Sequence, residues 1–233
     1  MRRRFSRREV LGVGLCAGGA VAAGLVRWPV AAAASCIARP QQTEGPYFVD
    51  EQLNRVDIRT DPSDGSVRPG TKLALTFAVS RLDGAACVPL KGAIVDLWHC
   101  DAAGAYSDVR DPGFDTSGKK FLRGYQVTDA DGGARFVTIW PGWYRGRTVH
   151  AHFKIRLDPT AKRGFDFTSQ LYFDDALTDV VHAQEPYAGK GQRRLRNSGD
   201  GIFRSGGAQL LLAPTADGSG GYAATFEIAL DLA

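Results

Sequence analysis

Along most of the chain the apolar residues come in short runs separated by turn residues. The runs are Leu73–Val79, Ala93–Trp98, Gly124–Thr128, Arg135–Ile139, His150–Leu157, Ser169–Phe173, Gln209–Leu212 and Ala223–Leu232. Asp83-Gly84, Asp131-Gly132-Gly133 and Asp217-Gly218 supply turn signals between them. Short β-type runs at regular spacing predict an all-β fold, an antiparallel β-sandwich with long loops and little helix. The best helix candidate is short, Asp174–Ala183, ahead of Gln184-Glu185-Pro186. Residues 35–70 are polar and broken by Arg39-Pro40, Gly45-Pro46, Asp61-Pro62 and Pro69-Gly70. They read as an ordered arm leading into a sandwich domain over residues 71–233.

The chain has 233 residues, 44% hydrophobic and 23% charged, which is a globular balance and not a disordered one. Beyond residue 40 no run of about 18 apolar residues occurs, so the body is not expected to cross a membrane. The formal charge of +4 is concentrated at the N-terminus. Six of the 29 basic residues and one of the 25 acidic residues fall within residues 1–34, leaving the remainder at −1. A near-neutral body argues against a nucleic-acid partner, which needs clustered positive charge.

Residues 1–34 have the pattern of an export signal. MRRRFSRREV is a basic stretch, LGVGLCAGGAVAAGLV is apolar, and small residues near Ala34 suit cleavage. Ser6-Arg7-Arg8-Glu9-Val10-Leu11 resembles a twin-arginine signal, read by the export machinery that carries folded proteins. The mature protein is then expected in the periplasm or outside the cell. Three cysteines remain there: Cys36, Cys87 and Cys100. Cys87 and Cys100 bracket a predicted strand, which holds them too far apart to bridge. Cys36 pairs with one of the two, or none pairs.

The densest chemistry lies at Trp140-Pro141-Gly142-Trp143-Tyr144-Arg145-Gly146-Arg147-Thr148-Val149-His150-Ala151-His152. On a strand His150 and His152 point to one face, and Val149, Ala151 and Phe153 point to the other, into a core. Two imidazoles on one face suit metal binding. Tyr144 precedes them across a glycine-containing loop, and Tyr106 sits on a loop after the apolar run Ala93–Trp98. Phenolate is a hard anionic donor and imidazole a borderline one, and two of each form a set of charge −2, matched to ferric iron better than to zinc or copper.

Gly104-x-Tyr106, Pro141-Gly142-x-Tyr144-x-x-Arg147-x-x-His150-x-His152 and Ser169-Gln170-Leu171-Tyr172-Phe173 together resemble the intradiol ring-cleavage dioxygenase family. Protocatechuate 3,4-dioxygenase and catechol 1,2-dioxygenase belong to it. Thr43-Glu44-Gly45-Pro46-Tyr47-Phe48 is similar to that family's N-terminal segment near the active site. The resemblance spans roughly residues 40–180. It implies a mononuclear non-haem Fe(III) on a β-sandwich, a catechol-type substrate, O2, and a muconate-type dicarboxylic acid as product. Tyr106, Tyr144, His150 and His152 would be the metal ligands, with Tyr144 the one that substrate displaces. Arg147 would stabilise negative charge near the ring, and Gln170 would orient a ligand or bound hydroxide. Tyr47 and Trp143 would line the substrate pocket together with Arg147. The chain departs from the family in a shorter loop between Tyr144 and His150. Residues 35–70 are too short and too rich in proline and glycine to be the long helical N-terminal region that catechol 1,2-dioxygenases carry. Which catechol is cleaved, and whether the chain forms a homo-oligomer, stay open.

Outside the motifs, His99 is expected to be structural and His182 exposed. Arg193, Arg194 and Arg196 form a basic run expected to be solvated. Two other function classes compete. One is a non-catalytic exported module that binds polysaccharide or protein through Tyr47, Trp143 and Tyr144. The other is a zinc hydrolase or copper site built on His150 and His152. No Gly-x-Ser-x-Gly motif supports a serine hydrolase.

Overall fold

A computed structural model describes residues 36–84, 86–157 and 164–232. The export-signal reading of residues 1–34 lies outside the described residues. The elements in chain order are β1 (Lys72–Asp83), β2 (Ala86–Pro89), β3 (Ile94–Trp98), β4 (Arg110–Asp111), β5 (Phe114–Asp115), β6 (Arg123–Val127), β7 (Gly133–Ile139), β8 (His150–Leu157) and β9 (Phe165–Tyr172). They are followed by α1 (Asp175–His182), α2 (Gly201–Arg204), β10 (Thr215–Ala216) and β11 (Tyr222–Leu230). Among the described residues no helix is long and apolar enough to cross a membrane.

Two sheets face each other. One runs β10-β11-β1-β2, with β7 also on β1, and the other runs β6-β3-β8-β9. The core between them is aromatic and aliphatic. Phe77 meets Phe153 and Phe226 at ring separations of 5.3 and 5.8 Å. From β8 the buried residues Ala151, Phe153 and Ile155 point into this core, following the strand's period of two. The opposite face of β8 is therefore left to His150 and His152.

Four expectations are corrected. The sandwich is not wholly antiparallel, because β1 pairs parallel with β11, Leu73 opposite Tyr222 through Arg81 opposite Leu230. A parallel pair needs a long crossover, and here nearly the whole domain lies between the two strands. Gln209–Leu212 is not a strand. Gly207–Leu210 forms a 3-10 turn after Gly206 at φ 93°, and only Leu211 makes an isolated bridge, to Tyr172. Leu210 and Leu212 are buried as their hydrophobicity demands, but the turn sets the backbone. His182 is half-buried: its Nε2–H donates to the Pro141 carbonyl at 3.0 Å and its ring stacks on Tyr187. Arg193 is buried against Asp175 and Asp179, and Arg196 pairs with Asp179. Of that run Arg194 is exposed and unpaired among the described residues.

Helix α1 sits where the sequence places it. Asp174 caps it, accepting from the Leu177 amide at 2.8 Å, and Ala183 ends it. Cys36 is bonded to Cys87, Cα atoms 5.4 Å apart, which ties the arm to β2. Cys100 is a buried free thiol.

His99 is structural. Its Nδ1–H donates to the Cys100 carbonyl at 2.8 Å, and its Nε2 accepts from the Thr138 hydroxyl at 2.6 Å. Burial holds its pKa down at about 4, below the ordinary 6.5. The unfolded chain takes up this proton below about pH 6.5 while the folded chain refuses it until about pH 4. His99 therefore adds stability above pH 6.5, and that stability fades as pH falls through the window. The expected loss is about 1.4 kcal/mol per pH unit. Denaturant midpoints measured between pH 7 and 4 should fall less steeply in His99→Asn than in the wild type.

Candidate metal centre

The centre is built on the outer face of the β6-β3-β8-β9 sheet. Strand register places Trp98 and Gln170 on either side of His152, and Tyr172 beside His150. Trp98 stacks on the His152 ring, 5.1 Å between centroids and 10° from parallel. Two loops bring the tyrosines over this face. The first turns tightly after Cys100: Asp101 N–H donates to the Ala105 carbonyl, and the Asp101 carboxylate accepts from the Ala105 amide. Gly104 makes the turn possible at φ 86°, and Tyr106 emerges fully buried. The second loop, Trp140 to Arg147, carries Tyr144 back to the mouth of β8.

Four side chains converge on one point. Tyr144 O–H lies 3.0 Å from His150 Nε2, Tyr106 O–H lies 3.5 Å from it, and His152 Nε2 lies 3.0 Å away. Arg147 Nη1 approaches the same atom at 3.3 Å. His150 Nδ1–H donates to the Thr148 carbonyl at 2.7 Å, so its Nε2 carries the lone pair. A single lone pair cannot serve four neighbours, and this crowding suits a cation at the common point. Metal bonds of about 2 Å set adjacent donors roughly 3 Å apart, the spacing seen here. Among the described residues no three His, Cys, Asp or Glu gather as a metal site; half of this donor set is tyrosine.

The electrostatics agree. Burial, then the Arg147 charge, lower the His150 pKa to about 3, and burial and His150 push His152 well below its ordinary value. Both imidazoles are thus neutral, the form that binds metal. Burial raises the Tyr106 and Tyr144 phenols above their ordinary range. A trivalent cation would reverse that by supplying the missing positive charge. The donor set fits a ferric ion.

Arg147 is held from two sides. Its Nε–H donates to Asp200 at 2.8 Å and its Nη2–H to Gln170 Oε1 at 2.6 Å. Burial opposes its charge, yet Asp200 keeps its pKa above the ordinary value. Gln170 is fixed in turn, donating to the Thr43 carbonyl at 2.9 Å and accepting from Tyr172 O–H at 3.1 Å. Tyr47 stacks on Tyr106 at 4.5 Å, stands edge-on to Tyr144 at 6.4 Å, and donates to Asp111 at 2.8 Å. Gly45, at φ 72°, lies against His152, where a Cβ would come within 3.2 Å of the ring. The arm is thus a wall of the centre. Trp143 lies outside the donor cluster, in the wall of a surface cleft of about 450 Å3 shared with Tyr144, Arg145, Arg194 and Leu195.

Asp200 and Trp98 are site neighbours that sequence reasoning does not find. Asp200 is 1% exposed and also accepts from the Thr148 amide and two amides of α2. Its one local signal is an N-cap position before Gly201-Ile202-Phe203, which says nothing of Arg147. Trp98 reads from sequence only as the end of a buried strand.

The fold and centre define a class: a β-sandwich with a buried centre of two tyrosines and two histidines. The dioxygenase family model Dioxygenase_C matches residues 43–187. Chlorocatechol 1,2-dioxygenase of Pseudomonas sp. strain P51 is 30% identical over 149 residues, 56% of this chain and 54% of that protein. The chain spans about half the length of the curated relatives it matches. An intradiol ring-cleavage dioxygenase from Tetranychus urticae superposes with a TM-score of 0.73 at 29% identity, covering 84% of this chain and 95% of that one. The dioxygenase domain of a dioxygenase carbohydrate-binding fusion from Streptomyces sp. SirexAA-E gives a TM-score of 0.59 at 32% identity, covering 84% and 100%. The chain belongs to the intradiol ring-cleavage dioxygenase family.

Proposed function

We propose that this chain cleaves a catechol-type diol between its two hydroxyl-bearing carbons. The reaction would use O2 and a mononuclear non-haem Fe(III), and would give a cis,cis-muconate-type dicarboxylic acid. The observation that carries this reading is the convergence of Tyr106, Tyr144 and His152 on His150 Nε2, within 3.5 Å. When bound, the ferric ion supplies a chelation point for both catechol oxygens and draws electron density from the ring toward O2.

The chain's own residues do the rest. Tyr106, His150 and His152 are nearly fully buried, and they would hold the metal. Tyr144 is less enclosed and lines the surface cleft, so it would be the donor that gives way to substrate, and its oxygen would be placed to take one of the two protons that a chelating catechol must lose. Arg147 keeps a fixed positive charge beside the ring and stabilises negative charge as it develops. Gln170 and Asp200 hold the guanidinium in place, and the arm around Gly45 and Tyr47 excludes water.

We place this activity outside the cytoplasm, on the twin-arginine pattern and on the Cys36–Cys87 bond, which persists in oxidising compartments. Oxygen uptake tests the function. The iron-loaded protein should consume one O2 per catechol and release the dicarboxylic acid. Catechol oxidation to quinone without ring opening would overturn the assignment.

A further inference from the structure

The backbone ahead of Tyr144 is held largely from one later stretch of chain. Tyr187 O–H donates to the Trp140 carbonyl at 2.7 Å. His182 Nε2–H donates to Pro141 at 3.0 Å. The Cys100 thiol lies 3.5 Å from the Gly142 carbonyl. Lys190 Nζ donates to Trp143, and also to the Ala103 carbonyl. Every carbonyl from residue 140 to 143 therefore meets a side chain, three of them from residues 182–190. Such carbonyls in a loop ordinarily turn to water. The stretch is braced as well. His182 and Tyr187 stack at 4.8 Å, and the Lys190 ammonium lies 4.7 Å over the Trp143 ring.

The loops that carry Tyr106 and Tyr144 also touch backbone to backbone. The Gly142 amide donates to the Asp101 carbonyl at 3.2 Å. A Cβ on Gly142 would overlap the carbonyls of Asp101 and Ala102, and one on Gly104 would overlap Trp143 and Lys190. Lys190 sits at this junction and bonds one carbonyl from each loop. A lysine normally keeps its ammonium in water, and this one is turned inward onto two carbonyls. Beyond Trp143 the bracing stops, and Arg145 and Gly146 are exposed.

We propose that Lys190, backed by His182 and Tyr187, is a positioning residue that fixes the Tyr144 loop against the Tyr106 loop. It thereby sets the spacing of the two phenols while leaving Tyr144 at the edge of the braced segment. The consequence for the metal rests on the reading of the tyrosines as ligands. The brace itself is a property of the polypeptide and is measurable without metal.

Hydrogen exchange on the metal-free Lys190→Met protein tests it. Two charge-assisted bonds to backbone are lost, so exchange across residues 101–106 and 142–146 should quicken about tenfold or more. Strand β8 should keep its protection, and Lys190→Arg should restore most of the loss. Tyr187→Phe keeps the stacked ring and should loosen residues 140–142 and the Thr71 amide, which donates to the same hydroxyl at 3.0 Å, and leave residues 101–106 protected. In the iron-loaded protein, Lys190→Met should shift the tyrosinate-to-iron absorption band and Lys190→Arg should not. Unchanged exchange in Lys190→Met and Tyr187→Phe overturns the proposal, as does quickening spread evenly over both sheets. A wild type that binds no Fe(III) defeats the ferric reading, and the exchange result still decides the brace.

Discussion

Replacing Tyr106 with phenylalanine should empty the centre of iron while the fold survives. The phenyl ring keeps the stacking on Tyr47 and the burial that the tyrosine ring already has. The hydroxyl meets His150 Nε2 at 3.5 Å and the Tyr144 hydroxyl, both proposed donors themselves, so the fold does not rest on it. What is lost is one of the four proposed donors and one of the two negative charges that the proposed tyrosinates would bring. Losing a group that merely orients a ligand lowers metal affinity about 10- to 100-fold, and losing a ligand should exceed that. Iron per chain after dialysis should fall to under roughly a tenth of the wild-type value, with the thermal midpoint of the metal-free protein little changed. His152→Ala should lose iron to the same extent. Full iron retention in either variant would refute the ligand assignment.

Arg147→Ala should leave iron in place and slow ring opening. A positioned charge of this kind is worth about 10²- to 10³-fold in turnover. The substitution has a second effect that must be separated. Asp200 is 1% exposed, and removing Arg147 leaves its carboxylate buried without its ion-pair partner. The Asp200 carboxylate still accepts from Thr148, Ile202 and Phe203 amides, so the fold should persist at reduced stability. Turnover of Arg147→Ala measured well below its own thermal midpoint, where the chain is folded, should still be low. If turnover there matched the wild type, Arg147 would matter for structure and not for charge.

The parts legible in sequence are those with a local period or a local motif. The alternation of β8 separates Ala151 and Phe153 from His150 and His152 within four residues, so its two faces can be read directly. Helix α1 announces itself by Asp174 and by Pro186 downstream. The four proposed donors carry family spacing, and the folded chain gathers them within hydrogen-bonding reach of His150. What escaped depends on partners far along the chain. Arg193 looks like part of a solvated run until Asp175 and Asp179 stand opposite it. Asp200 looks like a turn residue until it meets Arg147, 53 positions away. The parallel pairing of β1 with β11 leaves no mark on either strand, because both are apolar on the buried face whichever way the neighbour runs. Gln209–Leu212 has a strand's hydrophobicity, but Gly206 and Gly207 ahead of it turn the backbone first.

The central claim is that two tyrosines and two histidines of this chain hold ferric iron that a catechol can reach. Metal content and visible absorption of the purified protein, before and after catechol is added without oxygen, test it most directly. The account predicts about one iron per chain, a tyrosinate-to-iron absorption band that colours the protein, and a shift of that band when catechol displaces Tyr144. A colourless protein that takes up no Fe(III) on reconstitution would contradict it, leaving a family scaffold without the family's chemistry.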